Sequence, residues 1–414
     1  MPRACVLLTG LLAVAGCTSA PPEPAGPPSP DPVAKAPPTE PAVAPPREPK
    51  LPGPRGGKNP KPPAVDPFAE RAAVKYVADL GGVTVRYENV TDWNQLGTVK
   101  FENQSVAKVD AGKLAPLKAL VFLGLEGSTD TDALLKQLPA NLPWLKKVEV
   151  NDSAATDAGY VELGKVPDLE EVYAQKAKAT ATGVAALAGL PKLAVVDFKG
   201  SALGDDAVKP LAASKTLKRL TLADTPVTLG GVPPGGWAAL EHLDLSGAPV
   251  TDAGLKALAG APHLAELNLT GTQVSDAGLA ALAGLKALRV LKLGGTKVTG
   301  RGLDALEKLP LLDDLTLAGP QVDDAGFRRV AGLTRLKKLD LTDAAVTDAG
   351  FKPVLGLPVL EQLDVTRSGL GDPTARDLAK MKGLKQVTFA RTKVTKAGTD
   401  ALRAARPDVV VTAE

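Results

Sequence analysis

Leu240-Glu-His-Leu243-Asp-Leu245, Leu264-Ala-Glu-Leu267-Asn-Leu269 and Leu288-Arg-Val-Leu291-Lys-Leu293 are the stretches that decide the fold. The same phrase continues as Leu312-Asp-Asp-Leu315-Thr-Leu317, Leu336-Lys-Lys-Leu339-Asp-Leu341 and Leu360-Glu-Gln-Leu363-Asp-Val365, each 24 residues after the last. Looser copies start at Leu96, Leu117, Leu145, Leu169, Leu193 and Leu217, and a last one at Leu384, making thirteen. Successive starts are separated by 21, 28, 24, 24, 24 and 23 residues, and then by 24 six times. Alternation of leucines such as Leu243 and Leu245 is the period of a strand with one buried face, so Asp244 between them points outward.

The second half of each unit carries its own phrase, Thr251-Asp-Ala-Gly-Leu255, echoed by Ser275-Asp-Ala-Gly-Leu279 and Thr347-Asp-Ala-Gly-Phe351. The hydroxyl suits a helix N-cap, and the aspartate suits the positive end of that helix. Gly254, Gly278 and Gly350 recur where a glycine weakens a helix, which implies crowding by the neighbouring unit. A unit of 24 residues is too short for an ordinary strand–helix–strand crossover of roughly 30 residues. No G-x-G-x-x-G follows a strand.

L-x-x-L-x-L at this period resembles the leucine-rich repeat, over about residues 80–414. The Thr/Ser-Asp-Ala-Gly-Leu half resembles the repeats of bacterial proteins and of the cysteine-containing subtype found in F-box proteins, although no F-box-like segment precedes it. The resemblance implies an α/β solenoid, an arc or horseshoe with a parallel sheet on its concave face and short helices on its convex face. It also implies an inward asparagine or threonine where each strand ends. Thr225, Thr272, Thr296 and Thr392 fill that place, whereas Ala248, Pro320 and Ala344 cannot hydrogen-bond there.

Outside the repeats the composition changes. Arg3, the apolar run Val6–Val14 and then Val14-Ala15-Gly16-Cys17 read as a signal peptide over residues 1–16. Its end resembles the lipobox of bacterial lipoproteins, which implies acylation of Cys17. With Cys5 the only other cysteine, the exported chain then has no free thiol, which excludes a cysteine nucleophile or cysteine-based zinc cluster. Residues 17–66, with Pro21-Pro22, Pro37-Pro38, Pro45-Pro46 and Pro62-Pro63, read as a disordered proline-rich linker. Residues 67–95 read as a helix-plus-strand cap, 96–407 as the thirteen repeats and 408–414 as a closing strand.

A formal charge of +3, with Lys and Arg scattered among nearly as many Asp and Glu, argues against nucleic acid as a partner. The expected surface is the concave face. Its central outward positions are Lys100, Val121, Glu149, Tyr173, Asp197, Thr221, Asp244, Asn268, Lys292, Thr316, Asp340, Asp364 and Thr388. Arg219, His242, Glu266, Asp314, Lys338 and Gln362 flank them. The candidate binding set is Tyr173, Asp197, Arg219, Thr221, His242, Asp244, Glu266, Asn268, Lys292, Asp340 and Asp364.

Catalysis finds no constellation here. His242 and Asp244 share a face without a triad partner or third ligand, and Ser246 lies about 7 Å further along the strand. Asp340 and Asp364, about 5 Å apart, read as a solvated like-charge pair rather than a calcium site. Neither a cofactor nor a metal is expected. Trp144 and Trp237 sit in two irregular units, one lengthened over 123–144 and one with a Gly/Pro-rich loop over 225–239; both tryptophans read as apolar plugs. The expected protein is a monomeric, non-enzymatic module, anchored to the envelope by lipid alone. It binds an envelope or extracellular protein or polysaccharide, or else serves as a structural or adhesion-like spacer.

Overall fold

The computed structural model describes residues 67–86 and 96–413. The expected signal peptide, Cys17, the expected proline-rich linker and residues 87–95 of the expected cap lie outside them. Within them a single sheet of fifteen strands runs in chain order. Its first members are β1 (Val83–Arg86), β2 (Leu96–Lys100), β3 (Phe122–Gly124), β4 (Lys147–Glu149) and β5 (Glu171–Tyr173). β6 (Val195–Asp197), β7 (Arg219–Thr221), β8 (His242–Asp244), β9 (Glu266–Asn268) and β10 (Val290–Lys292) follow. β11 (Asp314–Thr316), β12 (Lys338–Asp340), β13 (Gln362–Asp364), β14 (Gln386–Thr388) and β15 (Val410–Thr412) complete it. β1 is antiparallel to β2, and each later pair is parallel.

The middle residue of every three-residue strand from β3 to β14 points inward. Leu243, Leu267, Leu291, Leu315 and their counterparts are fully buried. Burying a leucine contributes roughly 1.5–3 kcal/mol, so this column alone holds neighbouring units together strongly. Behind the sheet the connections are short helices: α-helical at Asp157–Leu163, Ala181–Ala188 and Asp205–Ala212, but 3-10 at Gly254–Gly260, Gly278–Gly284 and Leu303–Lys308.

The register corrects one expectation. Val99 pairs with Leu123, and Leu123 with Val148. The second unit therefore starts at Leu120, not Leu117, and the irregular steps of 21 and 28 become 24 and 25. Leu117, Leu120 and Leu123 are all fully buried, which is why the apolar phrase alone could be aligned three residues early. Val121 consequently precedes the strand, and Phe122 and Gly124 take the outward places. The other irregular unit is a replacement rather than an insertion. No helix lies between β7 and β8, and the Trp237 side chain plugs the space, 1% exposed, while its backbone N–H donates to Ala212 O at 2.7 Å.

The hydroxyl column closes each turn locally. Thr225, Thr272 and Thr296 donate to the carbonyl three residues back at 2.7 Å. Beside the sheet's backbone pairing, a recurring side-chain bond ties unit to unit from the aspartate at the start of each helical half. Asp157 accepts from the Thr180 N–H at 2.6 Å, the Thr180 hydroxyl at 2.5 Å and the Gly183 N–H at 3.1 Å. Asp132, Asp205, Asp252, Asp276, Asp324 and Asp372 do the same to Thr156, Thr228, Ser275, Thr299, Thr347 and Thr395. Each aspartate therefore holds the Thr or Ser that opens the second half of the next unit.

The glycine of the phrase makes room for this. A Cβ on Gly278 would stand 2.3 Å from Asp252 Oδ1, and one on Gly350 would stand 2.0 Å from Asp324 Oδ1. Where the preceding unit lacks the aspartate, at Leu229 and Gly300, the backbone moves in instead. A Cβ on Gly254 or Gly326 would then stand 2.1 Å from the carbonyl oxygen of Thr228 or Thr299.

Both ends of the described repeats are covered. Helix Pro67–Asp79 buries Ala73 and Val77, and its Tyr76 hydroxyl donates to Lys108 O and accepts from the Asp110 N–H. At the far end Arg406 donates to Met381 O at 2.6 Å and Leu384 O at 3.0 Å. Arg403 donates to Val411 O at 2.8 Å, occupying an acceptor of the edge strand that would otherwise invite another chain.

Candidate binding surface

Two outward rows run across the sheet. The pairing places Tyr173, Asp197, Thr221, Asp244, Asn268 and Lys292 on adjacent strands of one row, and Asp340 and Asp364 further along it. Arg219, His242 and Glu266 occupy the other row. All the residues expected at the surface from Lys100 to Thr388 fall on these rows except Val121.

Many of the expected ligand-binding acids serve the backbone. Asp244 accepts from the Ser246 N–H at 2.8 Å and hydroxyl at 2.7 Å. Asp340 accepts from the Thr342 N–H, Asp364 from the Thr366 N–H and hydroxyl, and Asn268 from the Thr270 N–H. These short side chains tie down the turn that leaves each strand, as Asp and Asn do in Asx turns. Asp340 and Asp364 are thus individually satisfied by their own turns. Among the described residues no cluster of three or more His, Cys, Asp or Glu is arranged to hold a metal ion.

His242 does not turn to Asp244. Its Nδ1 lies 3.1 Å from Glu266 Oε2 on the next strand, and Lys292 Nζ lies 3.6 Å from Glu266 Oε1. The bond from His242 holds the Glu266 carboxyl below its ordinary range, with the Lys292 charge adding to it against the cost of burial. On β11 the opposite occurs: burial pushes the Asp314 carboxyl up, and Lys338 at 3.8 Å only partly offsets it.

The densest chemistry lies on β2–β5, where the register correction brings in residues not foreseen. Lys147 Nζ sits 4.8 Å from the Phe122 ring centre and 4.2 Å from that of Tyr173, between the two rings. Lys100 Nζ approaches Phe122 from the other side at 5.4 Å. The Tyr173 hydroxyl donates to Glu171 Oε2 at 3.0 Å, and Lys147 lies 3.5 Å from the same oxygen. Burial, then the Glu171 charge, push the Tyr173 phenol above its ordinary range. Gly124 leaves the space that Lys100 crosses toward Glu149, at 3.6 Å; a Cβ there would stand 2.8 Å from Lys100 Cγ. Asn151 donates to Glu149 and Gln175 to Asp197, each at 2.8 Å. Aligning Leu96-x-x-Val99-x-Phe101 with Leu120-x-x-Leu123-x-Leu125 is the signal that would have placed Phe122 on this face.

Comparison with known proteins bears on this surface through the fold. Residues 239–259 and 260–283, two consecutive units, match the Leucine Rich repeat family model. An internalin of Listeria monocytogenes is similar in structure, with a TM-score of 0.51 and 17% identity over 84% of this chain and 95% of that one. The fold is a leucine-rich-repeat solenoid. A leucine-rich-repeat protein of Leptospira interrogans is also similar, with a TM-score of 0.44 and 17% identity over 72% of this chain and 91% of the other. Sequence comparison with curated proteins finds no match. In this solenoid the two outward rows differ from unit to unit, while the buried leucines repeat.

Proposed function

We propose that this solenoid is a non-catalytic recognition module displayed on the cell envelope, which binds a protein or polysaccharide through the outward rows of its sheet. The observation that carries the reading is the group formed by Phe122, Lys147 and Tyr173. It gathers two aromatic side chains, of the kind enriched at interfaces, around a lysine on one stretch of an otherwise small and polar face. The anchor part of the proposal rests on Val14-Ala15-Gly16-Cys17 and the proline-rich stretch behind it, which suit a lipid attachment followed by a semi-stiff spacer.

Two experiments test the parts separately. Metabolic labelling with palmitate should mark the wild-type chain and leave Cys17→Ala unmarked; equal labelling of both defeats the anchor. The purified chain should bind envelope preparations saturably, and Phe122→Ala/Tyr173→Ala should lose that binding while a change on the helical side does not. Undiminished binding of the double variant would leave the sheet face without a role.

A further inference from the structure

We infer that the β2–β6 part of the sheet face takes an uncharged polysaccharide strand, laid across the strands over Phe122 and Tyr173. This inference rests on the recognition reading above and narrows its ligand class. Three observations point to this chemistry.

The first is charge. Between β2 and β6 each cation on the outward rows already has an acid. Lys100 lies 2.8 Å from Glu102 and 3.6 Å from Glu149, and Lys147 lies 3.5 Å from Glu171. Asp197 is held by the Gln175 amide and the Lys199 N–H. An anionic ligand would have to break one of these pairs and leave its acid uncompensated. An uncharged one leaves them intact.

The second is the aromatic pair. Because Lys147 Nζ lies within 4.8 Å of both ring centres, these are at most about 9 Å apart, close enough for two neighbouring sugars of one strand to reach both. Phe122 and Tyr173 are both partly exposed, and the ring surface that Lys147 and Lys100 leave uncovered can meet the apolar C–H faces of sugars, while the polar tip of Tyr173 suits a ligand of mixed character. The third is the fixed polar set around them. The amides of Asn151 and Gln175, the carboxylates of Glu149 and Asp197 and the Tyr173 hydroxyl orient one another. Amides and carboxylates placed this way offer donors and acceptors to hydroxyl groups, and a few such groups beside apolar surface are what orients a small ligand. Successive strands about 4.8 Å apart repeat these groups at nearly the spacing of successive sugars.

Native gels cast with hydroxyethyl cellulose, soluble starch or dextran test this directly, with alginate as the charged comparator. The full chain should be retarded by at least one neutral polymer, and raising the salt concentration should leave the retardation unchanged. Phe122→Ala/Tyr173→Ala should weaken binding about tenfold or more, whereas Tyr173→Phe, which keeps the ring, should retain most of it. Free migration through all three neutral gels, or retardation by alginate alone that salt abolishes, overturns the inference. If those gels fail while envelope preparations still bind through Phe122 and Tyr173, the glycan assignment falls and the recognition reading stands. If neither binds, both fall.

Discussion

The helix-starting edge of the solenoid and the outward face of its sheet are built on the same repeat and behave oppositely. On the edge, Asp157, Asp205, Asp252, Asp276, Asp324 and Asp372 make the same contact to the next unit again and again. On the face, neighbouring units replace Tyr173 with Asp197, then Thr221, then Asp244, although the backbone register is unchanged. A repeated contact is what a nearest-neighbour stack needs for stability. The varied contacts of the face, such as Lys147 to Glu171 and His242 to Glu266, join neighbouring units only in places, so the variation marks where selection for something other than stacking can act. The edge specifies the fold, and the face carries the candidate function.

The strongest way to break this division is to attack the edge where it has no slack. Gly326→Ala puts a Cβ 2.1 Å from the Thr299 carbonyl oxygen, and backbone, unlike a side chain, cannot swing away. Equilibrium urea unfolding should show a loss of about 3 kcal/mol. A somewhat smaller effect is expected from Asp205→Ala, which strips the acceptor from the Thr228 N–H and hydroxyl and the Leu229 N–H. That variant should lose about 2 kcal/mol in the same assay.

Titration addresses the same bonds without mutation. On Asp372 the hydrogen bonds from the Thr395 N–H and hydroxyl outweigh burial and hold the carboxyl below its ordinary range. On Asp157 and Asp205 burial is the largest single influence and acts upward, but the combined hydrogen bonds from the next unit exceed it. A depressed folded-state pKa stabilises above the unfolded value, roughly 3.9 for Asp, and that stability is lost as pH falls through the folded value. Unfolding midpoints should therefore be flat down to about pH 5 and fall below about pH 4. In Asp205→Ala the acid-dependent loss should be smaller than in wild type.

The smallest effect expected is a gain. Ala181 and Gly204 occupy the places where an aspartate and its threonine partner stand elsewhere, and a Cβ on Gly204 would meet nothing within 4 Å. Ala181→Asp with Gly204→Thr should supply the missing contact and stabilise by about 0.5–1 kcal/mol. Either change alone should add little, so a double-mutant cycle reads the coupling.

Much of the edge was legible from residues. Leucine alternation fixes which strand face is buried, and Thr-Asp-Ala-Gly announces a capped helix. What the phrase does not disclose is direction: a carboxylate near a helix start can serve its own turn or the next unit, and only packing decides for the next. The face was legible as rows but not in its chemistry. Leu117, Leu120, Leu123 and Leu125 supply more buried leucines than one phrase requires, so the alignment slid and hid Phe122. The aspartates of the face looked free in the sequence because an Asx turn is a matter of three residues' conformation, which Asp244-Leu-Ser246 does not advertise.

The division of labour is tested most directly by one binding isotherm, measured on envelope preparations for wild type, Phe122→Ala/Tyr173→Ala and Asp205→Ala below their unfolding temperatures. The account predicts that the face variant binds about tenfold or more weakly and that the edge variant, though less stable, binds as wild type does. Equal binding by the face variant, or an equal loss in the edge variant, would contradict it.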